Sequence, residues 1–202
     1  MMILRSSDPS PFGRKVKIVA KMLGVYDQLS VELSNTNDPA DSLRTQNPLG
    51  KIPILILDDG RKIFDSRVIC EYLDAQADGV TLHPTESDAR WDALTLQALG
   101  DGIIDASILQ VYETRMRTED KRDDGWMSYQ ADKVKRSLDQ LDANPPAFGA
   151  DLHIGHVGIA CALGYLDLRF DGEWRQTYGN LVTWLDEFRS RVPAFDATQF
   201  KG

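Results

Sequence analysis

The stretch of residues 47–55, with the sequence NPLGKIPIL, constrains the fold more than any other part of this chain. A turn signal, Asn-Pro followed by Gly, runs directly into an apolar, isoleucine-rich segment that is typical of a strand. Pro53 stands at that junction, and because proline has no N–H it belongs at the first residue or at an edge of a strand. The main chain of Ile52 is then free to pair with an extended, peptide-like ligand outside the sheet. Taken alone, the pattern also fits an ordinary turn before a strand.

The composition limits the classes of protein to which the chain can belong. It has 202 residues, a hydrophobic fraction of 42% and a formal net charge of -8. Such an acidic chain repels phosphate backbones, which argues against nucleic acid as a partner. We see no secretory signal and no apolar run of about 18 residues, so we expect no membrane span. Cys70 and Cys161 lie in apolar, helix-like segments without metal-ligand spacing, and we expect them to be core residues of a cytoplasmic protein.

Two domains are predicted from the order of the elements. Residues 1–78 alternate short strands with helices and include a hairpin signal at Asp58-Asp59-Gly60, which indicates a small α/β domain. Residues 79–86 contain Gly, Pro and Thr and are expected to be a linker. Residues 87–202 have a helical pattern throughout, with an apolar central helix at 157–168. We expect one long helix at 89–116, weakened or bent by Gly100 and Gly102.

Ser10 lies between the predicted first strand and first helix. The first N–H groups of a helix lack internal partners and form its positive end, which stabilises a nearby anion such as a thiolate. A serine hydroxyl at this place can also donate a hydrogen bond to a bound thiolate and so lower the thiol pKa. The alternative is that Ser10 is only the N-cap, with Pro11 as the first helical residue.

Asp65 and Ser66 open the predicted third helix. A carboxylate and a hydroxyl beside free helix N–H groups are suited to hold the amino and carboxyl groups of a small, amino-acid-like ligand. An ordinary Asp/Ser cap explains the same residues.

Hydrolase and metal chemistry fit the sequence poorly. There is no GxSxG elbow, and the histidines, which are His83, His153 and His156, all follow the first strand–helix unit. His153 and His156 have a spacing that occurs in helical metal-ligand pairs, but no nearby cysteine or acidic pair completes a site. We predict no metal and expect these two histidines to begin the buried helix.

The candidate segments occur in a fixed order along the chain. Ser10-Pro11-Phe12 comes first, NPLGKIPIL second and FDSRVICEYLD, which contains Asp65 and Ser66, third. In this order the sequence resembles the glutathione transferase family over essentially its whole length, and residues 159–167 resemble the central helix of bacterial members. The resemblance implies an α/β thioredoxin-like N-terminal domain followed by an all-α C-terminal helical bundle. It also implies a homodimeric glutathione S-transferase of the detoxification type, with glutathione as co-substrate and no permanently bound cofactor.

The same resemblance implies the residues that contact glutathione. Pro53 is expected in the cis form, with the Ile52 main chain paired to the cysteinyl part of the tripeptide. Asp65 and Ser66 would hold the γ-glutamyl end. Ser10 would face the thiol, and Ser7 is the rival because related enzymes use the first serine of a similar Ser-x-Pro motif. The full implied set is Ser10, Phe12, Lys51, Ile52, Pro53, Asp65 and Ser66.

A small hydrophobic electrophile would bind between the two domains. The candidates for its pocket are Phe12, Trp91, Tyr112 and Arg115, although core packing explains the aromatic residues equally well. The chain departs from the family where many relatives open the central helix with Ser/Thr-x-x-Asp, because His153 and His156 stand at the matching positions. We therefore expect other groups, such as water or another loop, to hold that helix start.

Two other functions remain open from the sequence. A non-catalytic, transferase-like binding or scaffold protein would keep the same fold. A glutathione-dependent isomerase or dehalogenase ranks lower, because the first loop lacks the cysteine of zeta-like isomerases.

Overall fold

A computed structural model describes residues 1–200 of the chain. The chain divides into two compact units: residues 1–85 with the segment from Val192 onward, and Glu86–Arg191. The sequence-based division had placed that last segment with the helical residues, whereas here it groups with the first unit.

The regular elements alternate between strand and helix at the start of the chain and are helical afterwards. The strands are β1 (Met2–Ser6), β2 (Leu29–Leu33), β3 (Ile54–Ile56) and β4 (Lys62–Ile63). The α-helices are α1 (Pro11–Met22), α2 (Leu43–Gln46), α3 (Ser66–Gln76), α4 (Ser87–Met116), α5 (Asp124–Ala143), α6 (Ile154–Arg169), α7 (Gly179–Arg191) and α8 (Ala194–Ala197). Short 3₁₀ turns lie at Tyr26–Gln28, Glu119–Lys121 and Glu173–Gln176.

The first unit is built on a four-stranded sheet in the order β2-β1-β3-β4. β1 and β2 are parallel, as a strand–helix–strand connection through α1 requires, and the other neighbours are antiparallel. α1 packs with α3. Side chains from the sheet and from both helices are fully buried and form one core, namely Leu4, Leu55, Val16, Val19, Ile69 and Leu73.

The strand that follows Pro53 does not include the proline. We expected Pro53 at the first residue or at an edge of the strand, but the ladder begins at Ile54, because Pro53 has no N–H to contribute to it. β3 is also an inner strand, with β1 and β4 as neighbours. Pro53 therefore occupies the position just before a strand rather than a sheet edge.

The second unit contains two helices that pack closely on each other, α4 and α6. α4 runs without interruption through Gly100 and Gly102. A Cβ built at Gly100 would lie 2.6 Å from the main-chain carbonyl carbon of Gly158 on α6. Gly100 thus lets the two backbones approach, which is a tertiary reason for glycine inside a helix.

The start of α6 corrects one expectation from the sequence. We expected groups other than the histidines to hold it, and that was wrong. The His153 Nδ1 accepts the N–H of Gly155 at 3.2 Å, and the His156 Nδ1 accepts the N–H of His153 at 3.1 Å. Both imidazoles therefore cap the helix as hydrogen-bond acceptors.

The small sheet with its helices, followed by a helical unit, confirms the predicted thioredoxin-like and all-helical fold class. No helix within residues 1–200 combines the length and apolar character needed to cross a membrane.

Candidate functional site

The pairing of β1 with β3 brings the first loop to the segment before Pro53. Arg5 pairs with Ile54 in antiparallel register at the end of the ladder. Continuing this register by two residues on each strand places Ser7 opposite Ile52. The loop that carries the candidate serines and the candidate peptide-binding main chain therefore lie at the same end of the sheet.

The pairing of β3 with β4 brings the third segment to that end. Leu55 pairs with Ile63, and the same register places Asp65 opposite Pro53. The structure thus collects, at one end of one sheet, the three segments that the sequence singled out. They are separated by tens of residues in the chain, and only the register unites them.

Ser10 is the N-cap of α1. Its Oγ accepts the N–H of Gly13 at 3.1 Å, and its own N–H donates to the Ser7 carbonyl at 3.1 Å. A hydroxyl that accepts this bond keeps its proton for another partner, which a bound thiolate can provide. The N–H of Phe12, in the same first turn, has no partner within residues 1–200. This turn therefore offers two hydrogen-bond donors at the positive end of the helix.

Ser7 is the second hydroxyl at this end. It is half-buried, and its Oγ makes no hydrogen bond to any residue from 1 to 200. The geometry leaves both serines with an available proton, so the choice between them stays a prediction.

The first loop is fastened to α1 by an ion pair. The Lys17 Nζ lies 3.8 Å from Asp8 Oδ1, and Lys17 is only 9% exposed. Burial lowers the pKa of Lys17, and the carboxylate of Asp8 opposes that shift. The pair holds the loop between Ser7 and Ser10 against the body of the helix.

A closed turn presents Ile52. The Asn47 Nδ2 donates to the Lys51 carbonyl at 2.9 Å, and its Oδ1 accepts the N–H of Leu49 at 3.0 Å. The main-chain N–H and carbonyl of Ile52 make no hydrogen bond to residues 1–200, and the peptide bond to Pro53 is cis, as the resemblance implied. These two groups are a donor and an acceptor for an extended ligand.

Asp65 and Ser66 begin α3. The Asp65 Oδ1 accepts the N–H of Arg67 at 2.9 Å, while the carboxylate remains exposed. Ser66 is 2% exposed and supplies the first N–H of the helix. A carboxylate beside free helix N–H groups can bind an ammonium and a carboxylate at once.

The candidates for the electrophile pocket are not all brought together. Tyr112 and Arg115 lie one turn apart near the end of α4, but Trp91 stands about six turns earlier, roughly 30 Å along the same helix. Trp91 is 62% exposed. A small molecule that contacts Tyr112 cannot also contact Trp91.

Two residues near Tyr112 were missed in the sequence. Tyr165 and Arg169 lie on α6, with the Arg169 guanidinium carbon 5.9 Å from the Tyr165 ring centre. Burial raises the pKa of Tyr165, and the charges of Arg169 and Arg115 oppose that shift. Their spacing of four residues at the end of an apolar helix was the available signal.

The cysteines and the acidic residues form no metal site in the described part of the chain. No group of three or more His, Cys, Asp or Glu residues there could hold an ion. Cys70 and Cys161 are both buried, and neither takes part in a disulfide within residues 1–200.

The fold and this end of the sheet define a class: a thioredoxin-like unit followed by a helical unit. Family profiles agree with that class along the chain. The profile described as Glutathione S-transferase, N-terminal domain, matches residues 4–81, and the one described as Glutathione S-transferase, C-terminal domain, matches residues 83–187.

Solved structures and a curated relative point the same way. A glutathione transferase family member from Pseudomonas fluorescens Pf-5, solved with bound glutathione, is 40% identical, with a TM-score of 0.90 and 98% of each chain covered. It was also solved with bound S-(propanoic acid)-glutathione. A glutathione S-transferase from Methylobacillus flagellatus KT, with glutathione bound, is 34% identical, with a TM-score of 0.91 over 98% of this chain and 99% of that one. The uncharacterized GST-like protein YibF of Escherichia coli (strain K12) is 31% identical over 83% of each chain.

This chain belongs to the glutathione transferase family.

Proposed function

We propose that the protein is a glutathione transferase that binds glutathione at the shared end of the sheet and activates its thiol. The observation that carries the proposal is the register that brings the Ser7–Ser10 loop, Ile52-Pro53 and Asp65-Ser66 to that end. Each segment supplies a different kind of group, and together they match the parts of one tripeptide.

The tripeptide is held by main-chain and charged groups. Ile52 pairs its N–H and carbonyl with the cysteinyl residue of glutathione, in the manner of an added strand. Asp65 accepts the γ-glutamyl ammonium, and the N–H of Ser66 donates to the γ-glutamyl carboxylate. Lys51, which is exposed beside Ile52, is available for the glycyl carboxylate.

The thiol is ionised at the start of α1. The hydroxyl of Ser10, or of Ser7 as the rival, donates to the sulfur together with the N–H of Phe12. These donors stabilise the thiolate and lower the thiol pKa. The sulfur lone pair then forms a bond to the electrophilic carbon, and the displaced electron pair leaves with a leaving group or takes a proton. Proximity and the ionised thiol supply the rate gain.

The relatives support the ligand and the type of product. Two of them were solved with glutathione, and one was also solved with glutathione whose sulfur carries a propanoic acid group. We propose glutathione as a co-substrate, without a permanently bound cofactor, and conjugation at sulfur as the reaction. Phe12, Tyr112 and Arg115 are proposed for the electrophile. We also propose that the protein is a homodimer and that it acts in the cytoplasm.

Calorimetry with glutathione tests the proposal. We expect binding in the micromolar to low millimolar range, with a proton released as the thiol ionises. Ultraviolet absorbance of the thiolate against pH then gives the thiol pKa in the complex, which we expect at least one unit below that of free glutathione. An absence of binding at millimolar glutathione would instead support the scaffold function.

A further inference from the structure

Arg5 is a buried cation at the end of the sheet that carries the candidate site. It lies on β1 opposite Ile54, and it is only 8% exposed. Its guanidinium donates to the side chains of four residues at 2.9–3.2 Å, namely Ser34, Asp41, Ser42 and Gln46. All four belong to the segment of residues 34–46, which follows β2. One side chain of the sheet therefore holds this segment at four points.

The segment attaches to the first unit mainly through polar contacts. Among residues 35–46, the only buried apolar side chain is that of Leu43. The carboxylate of Asp41 accepts the N–H groups of Asn35 and Leu43, each at 2.8 Å. These two N–H groups, together with the guanidinium of Arg5, hold the pKa of Asp41 below its usual range, so this carboxylate is charged at neutral pH. Arg5 thus supplies the polar anchor of the segment, and Leu43 supplies the apolar one.

The segment leads directly into the turn that presents Ile52. Its helix, α2, ends just before Asn47, whose N–H donates to the Leu43 carbonyl at 2.8 Å. Asn47 is 1% exposed, and its side chain holds the Lys51 carbonyl. The contacts therefore form a continuous series from the Arg5 guanidinium, through α2 and Asn47, to the main chain of Ile52.

We propose that Arg5 is a positioning residue for glutathione, which sets the place of the Ile52 main chain through α2 and the turn at Asn47. The planar guanidinium holds several acceptors in fixed directions at once, which a single ammonium group does not. A ligand that pairs with main chain binds more tightly when that main chain is already in place, because binding then orders fewer residues. The inference rests on the proposed function, in which Ile52 pairs with the cysteinyl part of glutathione.

The position of Arg5 offers two competing roles. It stands two residues before Ser7 on the same strand, so one alternative is an effect on the thiol. The other alternative is that its hydrogen bonds only stabilise the first unit. An effect on the thiol would change the thiol pKa in the complex. A purely stabilising role would lower the unfolding temperature and leave the glutathione affinity of the folded protein unchanged.

Replacing the guanidinium separates these roles. Arg5→Met keeps the apolar stem of the side chain and removes all four hydrogen bonds. We expect calorimetry, well below the unfolding temperature, to show glutathione bound about tenfold more weakly. The pKa of the thiol at saturating glutathione should stay within about 0.3 units of its value in the unaltered protein. KM for glutathione should rise by about the same tenfold factor, with kcat unchanged.

Two variants in the same unit serve as controls. Arg61→Met removes an exposed guanidinium that pairs with Asp59 at 2.6 Å in the turn between β3 and β4. Phe195→Ala, on α8, lowers the stability of the unit without changing residues 34–47. Both variants should bind glutathione within about twofold of the unaltered protein, since neither alters the series of contacts that leads to Ile52.

A double variant tests the route through the turn. If Arg5 acts through Asn47, Arg5→Met combined with Asn47→Asp should bind glutathione about as weakly as the weaker of the two single variants. Losses of affinity that multiply in the double variant would mean that Arg5 acts by another route, and they would overturn the proposal.

A change at the other end of the ion pair keeps the proposal testable if Arg5→Met does not fold. Asp41→Asn leaves the guanidinium in place and removes the charge of its partner, which lies 2.9 Å from the Arg5 Nη2. We expect this variant to bind glutathione about threefold more weakly. An unchanged affinity in Asp41→Asn would contradict the proposal.

The outcomes distinguish this inference from the proposed function. If the unaltered protein does not bind glutathione at millimolar concentration, the proposed function fails. If glutathione binds the unaltered protein and Arg5→Met equally well, or if Arg5→Met raises the thiol pKa as much as Ser10→Ala does, only the positioning role of Arg5 is wrong. Losses of affinity in Arg61→Met or Phe195→Ala as large as that in Arg5→Met would also contradict this role.

Discussion

The main-chain N–H of His153 donates to the Nδ1 of His156 at 3.1 Å, and the two imidazole rings lie 3.8 Å apart. The His153 Nδ1 in turn accepts the N–H of Gly155, and the His156 Nε2 donates to the Ala147 carbonyl at 3.1 Å. This is a reciprocal capping box made of two bases. Because each Nδ1 must accept a hydrogen bond, the box requires both imidazoles to be neutral.

The first prediction is that acid weakens the folded state through this box. Burial, followed by the charge of His156, lowers the pKa of His153 to about 4, and burial also lowers the pKa of His156. Both pKa values lie below that of an unfolded histidine, about 6.5. The stabilisation is therefore complete above about pH 6.5 and is lost as the pH falls towards 4. Since His153 is only half-buried, we expect a loss of about 1–2 kcal/mol in the free energy of unfolding, measured with urea.

A variant with the Ser/Thr-x-x-Asp capping box that many relatives have at this helix start provides the control. His153→Ser combined with His156→Asp replaces the bases with a hydroxyl and a carboxylate, whose caps persist down to about pH 5. Its unfolding free energy should change less between about pH 7 and pH 5. Parallel pH profiles for the two proteins would exclude the histidines as the cause.

The second prediction concerns the thiol. Ser10→Ala removes the proposed donor to sulfur, so we expect the pKa of bound glutathione thiol to rise by about 1 unit and kcat/KM to fall roughly tenfold or more. Ser7→Ala should change the acid dissociation constant of the bound thiol and kcat/KM each by less than about threefold. Thiolate absorbance against pH and steady-state kinetics measure the two effects. A larger effect of Ser7→Ala than of Ser10→Ala would assign the donor to sulfur to Ser7. If neither variant changed the thiol pKa or kcat/KM, no serine hydroxyl would take part in the mechanism.

The third prediction concerns the turn that presents Ile52. Asn47→Asp keeps the acceptor for Leu49 N–H but faces a carboxylate oxygen towards the Lys51 carbonyl, so the turn opens. We expect glutathione affinity to fall by about 1–2 kcal/mol, while the thiol pKa at saturation stays the same. Asn180→Asp, which loses a similar bond to the Asp142 carbonyl in the second unit, is the control. If the unaltered protein, Asn47→Asp and Asn180→Asp all bound glutathione with equal affinity, the turn would not be needed to position Ile52 for the ligand.

The fourth prediction compares two glycines of α4. Gly100→Ala places a methyl group 2.6 Å from the Gly158 backbone, whereas a methyl group at Gly102 meets nothing within 4 Å. We expect Gly100→Ala to destabilise the protein by about 1–3 kcal/mol through overpacking. Gly102→Ala should stabilise it by up to about 1 kcal/mol through helix propensity. Thermal unfolding of the two variants measures both changes in stability. Shifts of the same sign in the unfolding temperature would contradict the close contact of α4 with α6 at Gly100.

The fifth prediction concerns the segment after Val192. The Arg14 Nη2 donates to the Phe195 carbonyl at 2.7 Å, and its guanidinium carbon lies 4.0 Å from the centre of that ring. Phe195 is 4% exposed and Phe200 is 36% exposed. Phe195→Ala should cost about 3 kcal/mol of unfolding free energy, and Phe200→Ala less than about 1 kcal/mol. Equal costs would mean that α8 is not anchored to α1 through this ring.

The local features of this protein are predictable from its amino-acid sequence alone. Ser10 before Pro11 predicted a helix start, Asp65 before Ser66 predicted another, and Pro53 predicted the beginning of a strand. All three hold in the structure within one or two residues. Caps and turns depend on side chains that bond to main chain a few positions away, so the necessary information lies within a short window.

Which of these features lie together depends on how the strands and helices pack in three dimensions. The register of β3 with β1 and β4 brings together Ser7, Ile52 and Asp65, and the packing of α4 on α6 brings Tyr112 close enough to act on the ionisation of Tyr165. The same level of structure separated Trp91 from Tyr112 along one helix. Contacts of this kind connect residues far apart in the chain, and they follow from the burial of whole faces of strands and helices rather than from any local pattern.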